Sequence, residues 1–166
     1  MDYKVTSVTA EQTRNWGKYL AAYLLPGDVL ALIGDLGAGK TAFAQGIGEG
    51  LGVTRPMASP TFTLIHEYEG QCQGTEIHLV HMDLYRLQHP HEVEVIGVEE
   101  SFSGDSICLI EWPEIAEDYL PENRLDVEIL GSGEQPREIV FHGNEGNWEQ
   151  RITAMIHSKE EKLGGS

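Results

Sequence analysis

The strongest constraint in this 166-residue sequence is a glycine-rich segment between an apolar run and a helical pattern. Residues 28–33 read Asp-Val-Leu-Ala-Leu-Ile, which is typical of a strand buried on both faces. Residues 34–41 then match G-x-x-x-x-G-K-[ST] at every fixed position. An apolar residue at every fourth position from Phe43 to Leu51 predicts a helix that begins near Lys40. The order of strand, loop and helix predicts a P-loop within an α/β fold.

The residue types of this loop suit a nucleoside triphosphate with Mg²⁺. Glycines let backbone N–H groups close around phosphates, and the following helix offers the positive end of its dipole. The ammonium of Lys40 would neutralise the β- and γ-phosphates, and the hydroxyl of Thr41 would ligate Mg²⁺. A chance match in a glycine-rich chain is the alternative, but both flanking elements that the mechanism needs are present. The expected binding residues of the loop are Gly34, Gly37, Ala38, Gly39, Lys40, Thr41 and Ala42.

Two apolar runs end in a carboxylate. Residues 77–83 end in Asp83, and residues 107–111 end in Glu111. A P-loop needs an acidic residue at a strand end to help hold the metal, whereas solvated carboxylates at strand ends are also common. The sequence favours a function for both, and more strongly for Glu111, because its strand is the more apolar. With Lys40, these two residues are the predicted catalytic groups.

The histidines and cysteines give no second site. His78 and His81 are three residues apart in a predicted strand, so they point to opposite faces and cannot form one metal site. No Cys/His spacing indicates zinc. Cys108 lies in an apolar run and is expected to be buried, whereas Cys72, in a polar stretch, is expected to be exposed. Two cysteines fit a reducing, cytoplasmic environment.

The remaining patterns predict one domain over residues 1–158, followed by a flexible tail over residues 159–166. A capping box at Thr9 opens a helix that Pro26 ends. The other predicted helices are residues 92–100 and a terminal helix capped by Asn147, and the other predicted strands are residues 61–69, 75–83, 106–112, 125–130 and 138–141. Since residues 61–69 and 75–83 read as a hairpin, we expect a three-layer fold like that of P-loop NTPases, with a mixed sheet that has a parallel core and an antiparallel hairpin.

The charge excludes some classes of partner. The sequence has 27 acidic and 11 basic residues, a formal net charge of -16. Nucleic-acid binding draws most of its free energy from basic side chains that neutralise phosphates, so strong direct binding to RNA or DNA is not expected. Any role on nucleic acid should therefore pass through a more basic partner.

No apolar run reaches the roughly 20 residues of a membrane span, so no membrane-spanning helix is expected.

Three further segments accompany the loop over residues 34–41. They are Ser-Pro-Thr-Phe-Thr at 59–63, His-Met-Asp-Leu-Tyr-Arg-Leu at 81–87 and Leu-Ile-Glu-Trp-Pro-Glu at 109–114. In this order and at this spacing, the four motifs resemble the TsaE family, also called YjeE. The resemblance covers nearly the whole chain, as far as Phe141, and is far more specific than the P-loop alone.

This resemblance implies a small bacterial P-loop ATPase, with ATP and Mg²⁺ as cofactors, that is needed to make N6-threonylcarbamoyladenosine in tRNA. Such proteins act with TsaD-like and TsaB-like partners and are thought to reset that complex by hydrolysing ATP. Thr41 and Glu111 match the family's magnesium ligands, and Asp83 matches a residue needed for hydrolysis. The residues that the resemblance places near the nucleotide are Thr9, Thr13 and Trp112.

Two segments resemble the family's switches. Residues 59–63 match the first switch, in which the hydroxyl of Thr61 or Thr63 would contact the γ-phosphate or the metal. Phe62 stands where the family normally has Tyr, so this chain lacks one hydroxyl at that position. Residues 83–87 match the second switch, where Arg86 is either a cation for the transition state, a partner contact or a surface arginine.

Other functions remain open on the sequence. A small-molecule kinase of the P-loop class would need a lid with several arginines, whereas the six arginines of this chain are spread out. A GTPase switch usually carries N-K-x-D, which is absent from the sequence. A nucleotide-binding adaptor whose hydrolysis is incidental would share every motif above.

Overall fold

The computed structural model describes residues 2–35, 37–57, 65–102, 104–143 and 146–164, the last five of these by their backbone alone. The strands are β1 (Asp2–Ser7), β2 (Val29–Ile33), β3 (Ile65–Cys72), β4 (Thr75–Asp83), β5 (Ser106–Glu111), β6 (Leu125–Leu130) and β7 (Arg137–Gly143). The α-helices are α1 (Ala10–Ala21), α2 (Lys40–Gly50), α3 (Pro90–Val95) and α4 (Trp148–Gly164), and the 3₁₀ helices are Val98–Ser101 and Pro113–Tyr119.

One sheet of seven strands forms the middle layer, in the order β1-β7-β6-β2-β5-β4-β3. Strand β2 runs parallel to β5 and β6, and β4 runs parallel to β5, whereas β3–β4, β6–β7 and β1–β7 are antiparallel. One apolar cluster joins the sheet to α1, α2 and α4, and a second joins the opposite face to α3 and the 3₁₀ helices. The predicted mixed sheet in a three-layer α/β fold is confirmed.

The hairpin of β3 and β4 is confirmed and is tighter than predicted. Cys72 pairs with Thr75, so the turn is only Gln73-Gly74, and both residues have positive φ, as a type I′ turn requires. Cys72 is buried, so the expectation that it is exposed is wrong. It lies at an inward position of β3, and its Sγ donates to the carbonyl of Leu24 at 3.0 Å.

Helices α1 and α2 pack closely through glycines. A Cβ on Gly46 would lie 1.8 Å from the carbonyl oxygen of Arg14, and one on Gly17 would lie 2.2 Å from that of Phe43. Each glycine weakens its own helix in isolation, Gly17 in α1 and Gly46 in α2, by about 1 kcal/mol relative to Ala. In the fold they allow the two backbones to touch, and this contact fixes the helix that carries Lys40.

Several boundaries differ from the sequence prediction. The sequence predicts no strand before α1, yet Asp2–Ser7 pairs with β7; as an edge strand it has mostly exposed or half-buried side chains and little apolar signal. The helix predicted over residues 92–100 is divided at Gly97, whose φ is +74°. Helix α4 continues to Gly164, and the flexibility of residues 159–166 stays a prediction. Among the described residues, no helix has the length and apolar character to cross a membrane.

Candidate functional site

The glycine-rich loop lies between the carboxyl end of β2 and the first turn of α2, as the sequence predicts. Gly39 caps the helix with φ +113°, a backbone conformation that residues with a side chain rarely adopt. Gly34 also needs to be glycine, because a Cβ there would lie 2.6 Å from the carbonyl oxygen of Ile129. Thr41 and Ala42 follow Lys40 in the first turn and are half-buried. The first turn of α2 therefore follows the loop directly, and its first N–H groups have no acceptor within the helix itself.

Lys40 is held inside the loop. Its side chain is buried, and its Nζ donates to the carbonyl of Gly34 at 2.6 Å. The same Nζ lies 3.6 Å from the centroid of the Trp112 ring, which is a cation–π distance. Burial lowers the pKa of Lys40, and the negative charges of Glu111 and Asp83 partly oppose that shift. The ammonium thus lies among the groups predicted to bind phosphate and metal.

The two predicted carboxylates are neighbours. Asp83 and Glu111 are register partners at the carboxyl ends of the parallel strands β4 and β5, and only 6% and 3% of their surfaces are exposed. Glu111 is also the register partner of Leu32, one residue before the end of β2. Hence both carboxylates lie at the sheet edge where the glycine-rich loop begins.

This donor set fits Mg²⁺. Carboxylates at the strand ends and the hydroxyl of Thr41 are the hard oxygen ligands that Mg²⁺ prefers. The described residues contain no group of three His, Cys, Asp or Glu side chains able to hold a metal by itself. A site of this kind suits Mg²⁺ that takes its remaining ligands from phosphates and water.

His81 has a contact that the sequence analysis missed. Its Nε2 lies 2.6 Å from Oε2 of Glu111, and both side chains are almost fully buried. His78 is exposed, so the two histidines do point to opposite faces, as predicted. The available signal was a histidine at an inward position of an apolar strand, two residues before Asp83.

Trp112 follows β5 directly and has φ 56° and ψ 57°, a left-handed conformation that is unusual for a non-glycine residue. The predicted strand included Trp112, but the strand ends at Glu111. The Trp112 ring contacts both Lys40 and Tyr85, and the centroids of the two aromatic rings are 4.9 Å apart. This backbone conformation directs the indole toward Lys40 of the loop. The resemblance to the family likewise predicts that Trp112 lies near the nucleotide.

A cavity of about 230 Å³ borders the loop at Gly37, Ala38 and Gly39. Thr9 and Thr13, which the resemblance places near adenine, both line it. Thr9 also caps α1 by accepting from the N–H of Gln12, and Thr13 Oγ1 lies 2.7 Å from Ser7 Oγ. The other lining residues are Val8, Ala10, Gly37, Ala38, Gly39, Gly133, Glu134, Gln135 and Arg137.

Arg137 is a second residue that the sequence analysis missed. Its Nε donates to the carbonyl of Ala38 at 2.9 Å, and its Nη2 contacts the carbonyls of Gly37 at 3.4 Å and Gly133 at 3.0 Å. The guanidinium therefore ties the glycine-rich loop to the turn before β7. About 100 residues separate these partners, and no sequence signal was available for this contact.

The structure thus gathers the predicted residues around one loop. Lys40 contacts Trp112 and lies near Asp83 and Glu111, and Thr41 is the next residue of α2, whereas Thr9 and Thr13 line the cavity. The first switch segment, with Thr61 and Phe62, lies outside the described residues.

The family assignment follows from comparison with known proteins. The family model described as "Threonylcarbamoyl adenosine biosynthesis protein TsaE" matches residues 7–139. This chain belongs to the TsaE family. The resemblance noted from the four motifs is thereby confirmed.

Individual members of the TsaE family match this chain over most of their length. The protein of Bacillus subtilis (strain 168) named tRNA threonylcarbamoyladenosine biosynthesis protein TsaE is 46% identical over 138 residues, which are 83% of this chain and 84% of that protein. The protein of the same name from Treponema pallidum (strain Nichols) is 37% identical, with 82% and 98% covered. The crystal structure of Bacillus subtilis YdiB superposes with a TM-score of 0.80 at 38% identity and covers 96% of this chain and 97% of that one.

Proposed function

We propose that this chain is a Mg²⁺-dependent ATPase subunit required to form N6-threonylcarbamoyladenosine in tRNA, acting with TsaD-like and TsaB-like partners. The observation that carries the proposal is the meeting of Lys40 with the carboxylates Asp83 and Glu111 at one sheet edge. The family membership of this chain points to the tRNA modification, since its relatives are named for the biosynthesis of threonylcarbamoyladenosine in tRNA.

The roles of the residues follow from their positions. The loop amides and Lys40 would bind the β- and γ-phosphates, and Thr41 with Glu111 would hold Mg²⁺. When bound, Mg²⁺ polarises phosphoryl oxygens and neutralises their charge. Asp83 lies next to Glu111 and would orient the attacking water and accept its proton. The buried side chains around them would exclude bulk water, which strengthens these interactions.

The position of the base is supported by the cavity beside the loop. A nucleotide whose phosphates lie against Gly39 and Lys40 would extend its base toward Thr9 and Thr13. Parallel titrations with ATP and GTP test this preference. Tighter GTP binding would contradict the assignment to ATP and favour a GTPase switch.

The acidic charge supports a partner-dependent role. With a formal net charge of -16, this subunit would dock on a more basic protein and would not grip tRNA by itself. We therefore expect slow hydrolysis by the isolated chain and cytoplasmic action with its partners. Retention of TsaD-like and TsaB-like proteins on the immobilised chain should differ between ATP and ADP, and retention that ignores the nucleotide would argue against a switch.

No observation favours the small-molecule kinase. Arg124 and Arg151 form ion pairs with Asp126 and Asp28, and Arg55 donates to the carbonyl of Glu67. These arginines are engaged within the fold and do not form a lid. Production of ADP that depends on an added metabolite would revive this alternative.

The binding site is tested directly with Lys40→Ala. Loss of the ammonium should weaken ATP binding at least about 100-fold by calorimetry, because a charge-assisted contact to the phosphates is removed. Lys4→Ala, on the exposed face of β1, is the matched control and should bind as the wild type does. Unchanged ATP affinity in Lys40→Ala would refute the proposed site.

A further inference from the structure

The buried pair of His81 and Glu111 is a side-chain contact that the proposed roles above do not use. Nε2 of His81 lies 2.6 Å from Oε2 of Glu111, with 1% and 4% of the two side chains exposed. A ring nitrogen at this distance from a carboxylate oxygen donates its proton, which assigns the hydrogen to Nε2. One of the two carboxylate oxygens of Glu111 is therefore fixed from the side of β4.

Strand register explains how the contact forms. His81 pairs with Leu109, and Asp83 pairs with Glu111, so all four side chains project from the same face of the sheet. Leu79, two residues before His81, lies in the apolar cluster under α1 and α2. The pattern of this strand face would place another apolar residue at position 81. A histidine lies there instead, two residues before Asp83 and beside Glu111 of the neighbouring strand.

The other ring nitrogen argues against a role in packing alone. Nδ1 of His81 is buried and has no hydrogen-bond partner within the part of the chain that the structure describes. A buried polar atom without a partner is unfavourable, so an apolar side chain would suit this face better if packing were the requirement. Among the described residues, the hydrogen bond with Glu111 is the gain that a histidine brings to this position over an apolar side chain.

We propose that His81 is a positioning residue, which holds Glu111 through Oε2 so that its other oxygen, Oε1, faces the cation of the nucleotide complex. This inference rests on the proposed function, because it takes Glu111 as a ligand of Mg²⁺. A carboxylate that already has one fixed oxygen loses less freedom when it binds the ion. His81 itself touches neither the nucleotide nor the metal.

The test measures metal binding directly. Mn²⁺ replaces Mg²⁺ as an electron paramagnetic resonance probe, and its affinity is measured for the full chain saturated with ADP. His81→Leu removes the donor at similar volume and should weaken Mn²⁺ binding by about 10- to 100-fold, the range found when such supporting contacts are lost. ADP affinity in EDTA should not change, since the phosphate contacts remain.

Conservative variants separate positioning from folding. Glutamine can place an N–H near the position of Nε2 and should restore most of the Mn²⁺ affinity, whereas asparagine is too short and should not. These two polar variants decide the matter even if His81→Leu does not fold. His78→Leu, on the exposed face of the same strand, is the control and should bind Mn²⁺ like the wild type.

A double variant identifies the partner through which His81 acts. In a Glu111→Ala background, where the ligand is already absent, His81→Leu should cause no further loss of Mn²⁺ affinity. An additional loss there, equal affinity in the glutamine and asparagine variants, or wild-type affinity in His81→Leu would overturn the inference. Those results leave the proposed function intact. A wild-type chain that binds ADP but no Mn²⁺ would refute both the role of His81 and the proposed function.

Discussion

Helix α2 places Lys40 and Thr41, and its contact with α1 through Gly46 makes its position testable. Gly46→Ala adds a Cβ that would lie 1.8 Å from the carbonyl oxygen of Arg14. Real Cβ contacts are essentially never below 3.0 Å, so the two helices must separate by about 1.2 Å. The opposing atoms are backbone, and no rotation of a side chain can relieve the contact.

The sign of the effect depends on two terms of similar size. Alanine is better than glycine inside a helix by about 1 kcal/mol, which alone would stabilise the variant. Overpacking a well-filled interface costs about 1–3 kcal/mol and occasionally more, and a clash with backbone belongs at the upper end of that range. We therefore expect a net loss of about 2 kcal/mol in the free energy of unfolding, equivalent to a fall in Tm of about 4–8 °C.

Gly48→Ala is the matched control in the same helix. The nearest atom to its new Cβ is the Sδ of Met57 at 2.1 Å, which belongs to a flexible side chain. A cavity of about 260 Å³ bordered by Gly48 and Met57 gives that side chain room to move. Its unfolding free energy should stay within about 1 kcal/mol of the wild type, since the propensity gain offsets the strain.

Urea denaturation of the two variants and the wild type decides the outcome. Gly46→Ala should unfold at clearly lower urea than Gly48→Ala and should also bind ATP more weakly, because the start of α2 shifts with the helix. If Gly46→Ala were as stable as the wild type or more so, helix propensity would dominate and the close packing of α1 on α2 would be refuted.

Three further predictions concern contacts beside the site and in the core. Arg137→Ala removes the hydrogen bonds to the loop carbonyls and should lower ATP affinity about tenfold by calorimetry, and Arg137→Lys should recover little because one ammonium cannot replace the guanidinium fork. Asp28→Asn leaves the guanidinium of Arg151 without its carboxylate in a mostly buried position, and urea denaturation should give a loss of roughly 3 kcal/mol; an unchanged midpoint would show that the pair contributes nothing. Burial raises the pKa of the Cys108 thiol from 9.0 to about 12. In the unfolded chain this thiol ionises first, so stability is lost as pH rises from about 9 toward 12, and the wild type should lose up to about 1.4 kcal/mol per pH unit more than Cys108→Ala. Parallel pH profiles of the two proteins would contradict that burial.

Local patterns were enough to predict the loop and the strands that surround it. The apolar run before Gly34, the fixed positions through Thr41 and the strand ends at Asp83 and Glu111 each depend on residues close in sequence. Periodicity and motif spacing report such features directly. These signals also placed the two carboxylates at strand ends, although only the parallel pairing of β4 with β5 makes them neighbours.

Features that depend on distant partners could not be predicted in the same way. Arg137 reaches carbonyls about 100 residues earlier, and Cys72 is buried because β3 packs near Leu24. Edge strand β1 carries little apolar signal, and only its pairing with the distant strand β7 identifies it as a strand. The role of His81 requires the register between two strands, which composition and spacing do not determine.

The same dependence explains why α2 is rich in residues that weaken a helix. Glycine at three positions of α2 makes the helix poor in isolation, and the chain could gain local stability by replacing them with alanine. At Gly46 that gain is not accessible, since the backbone of α1 occupies the space. Helix α1 also carries Thr13 to the cavity, so its close contact with α2 fixes the distance between that cavity and Lys40. The low helix propensity of α2 is therefore a consequence of the geometry that the proposed nucleotide site needs, and Gly46→Ala tests stability and ATP binding through one contact.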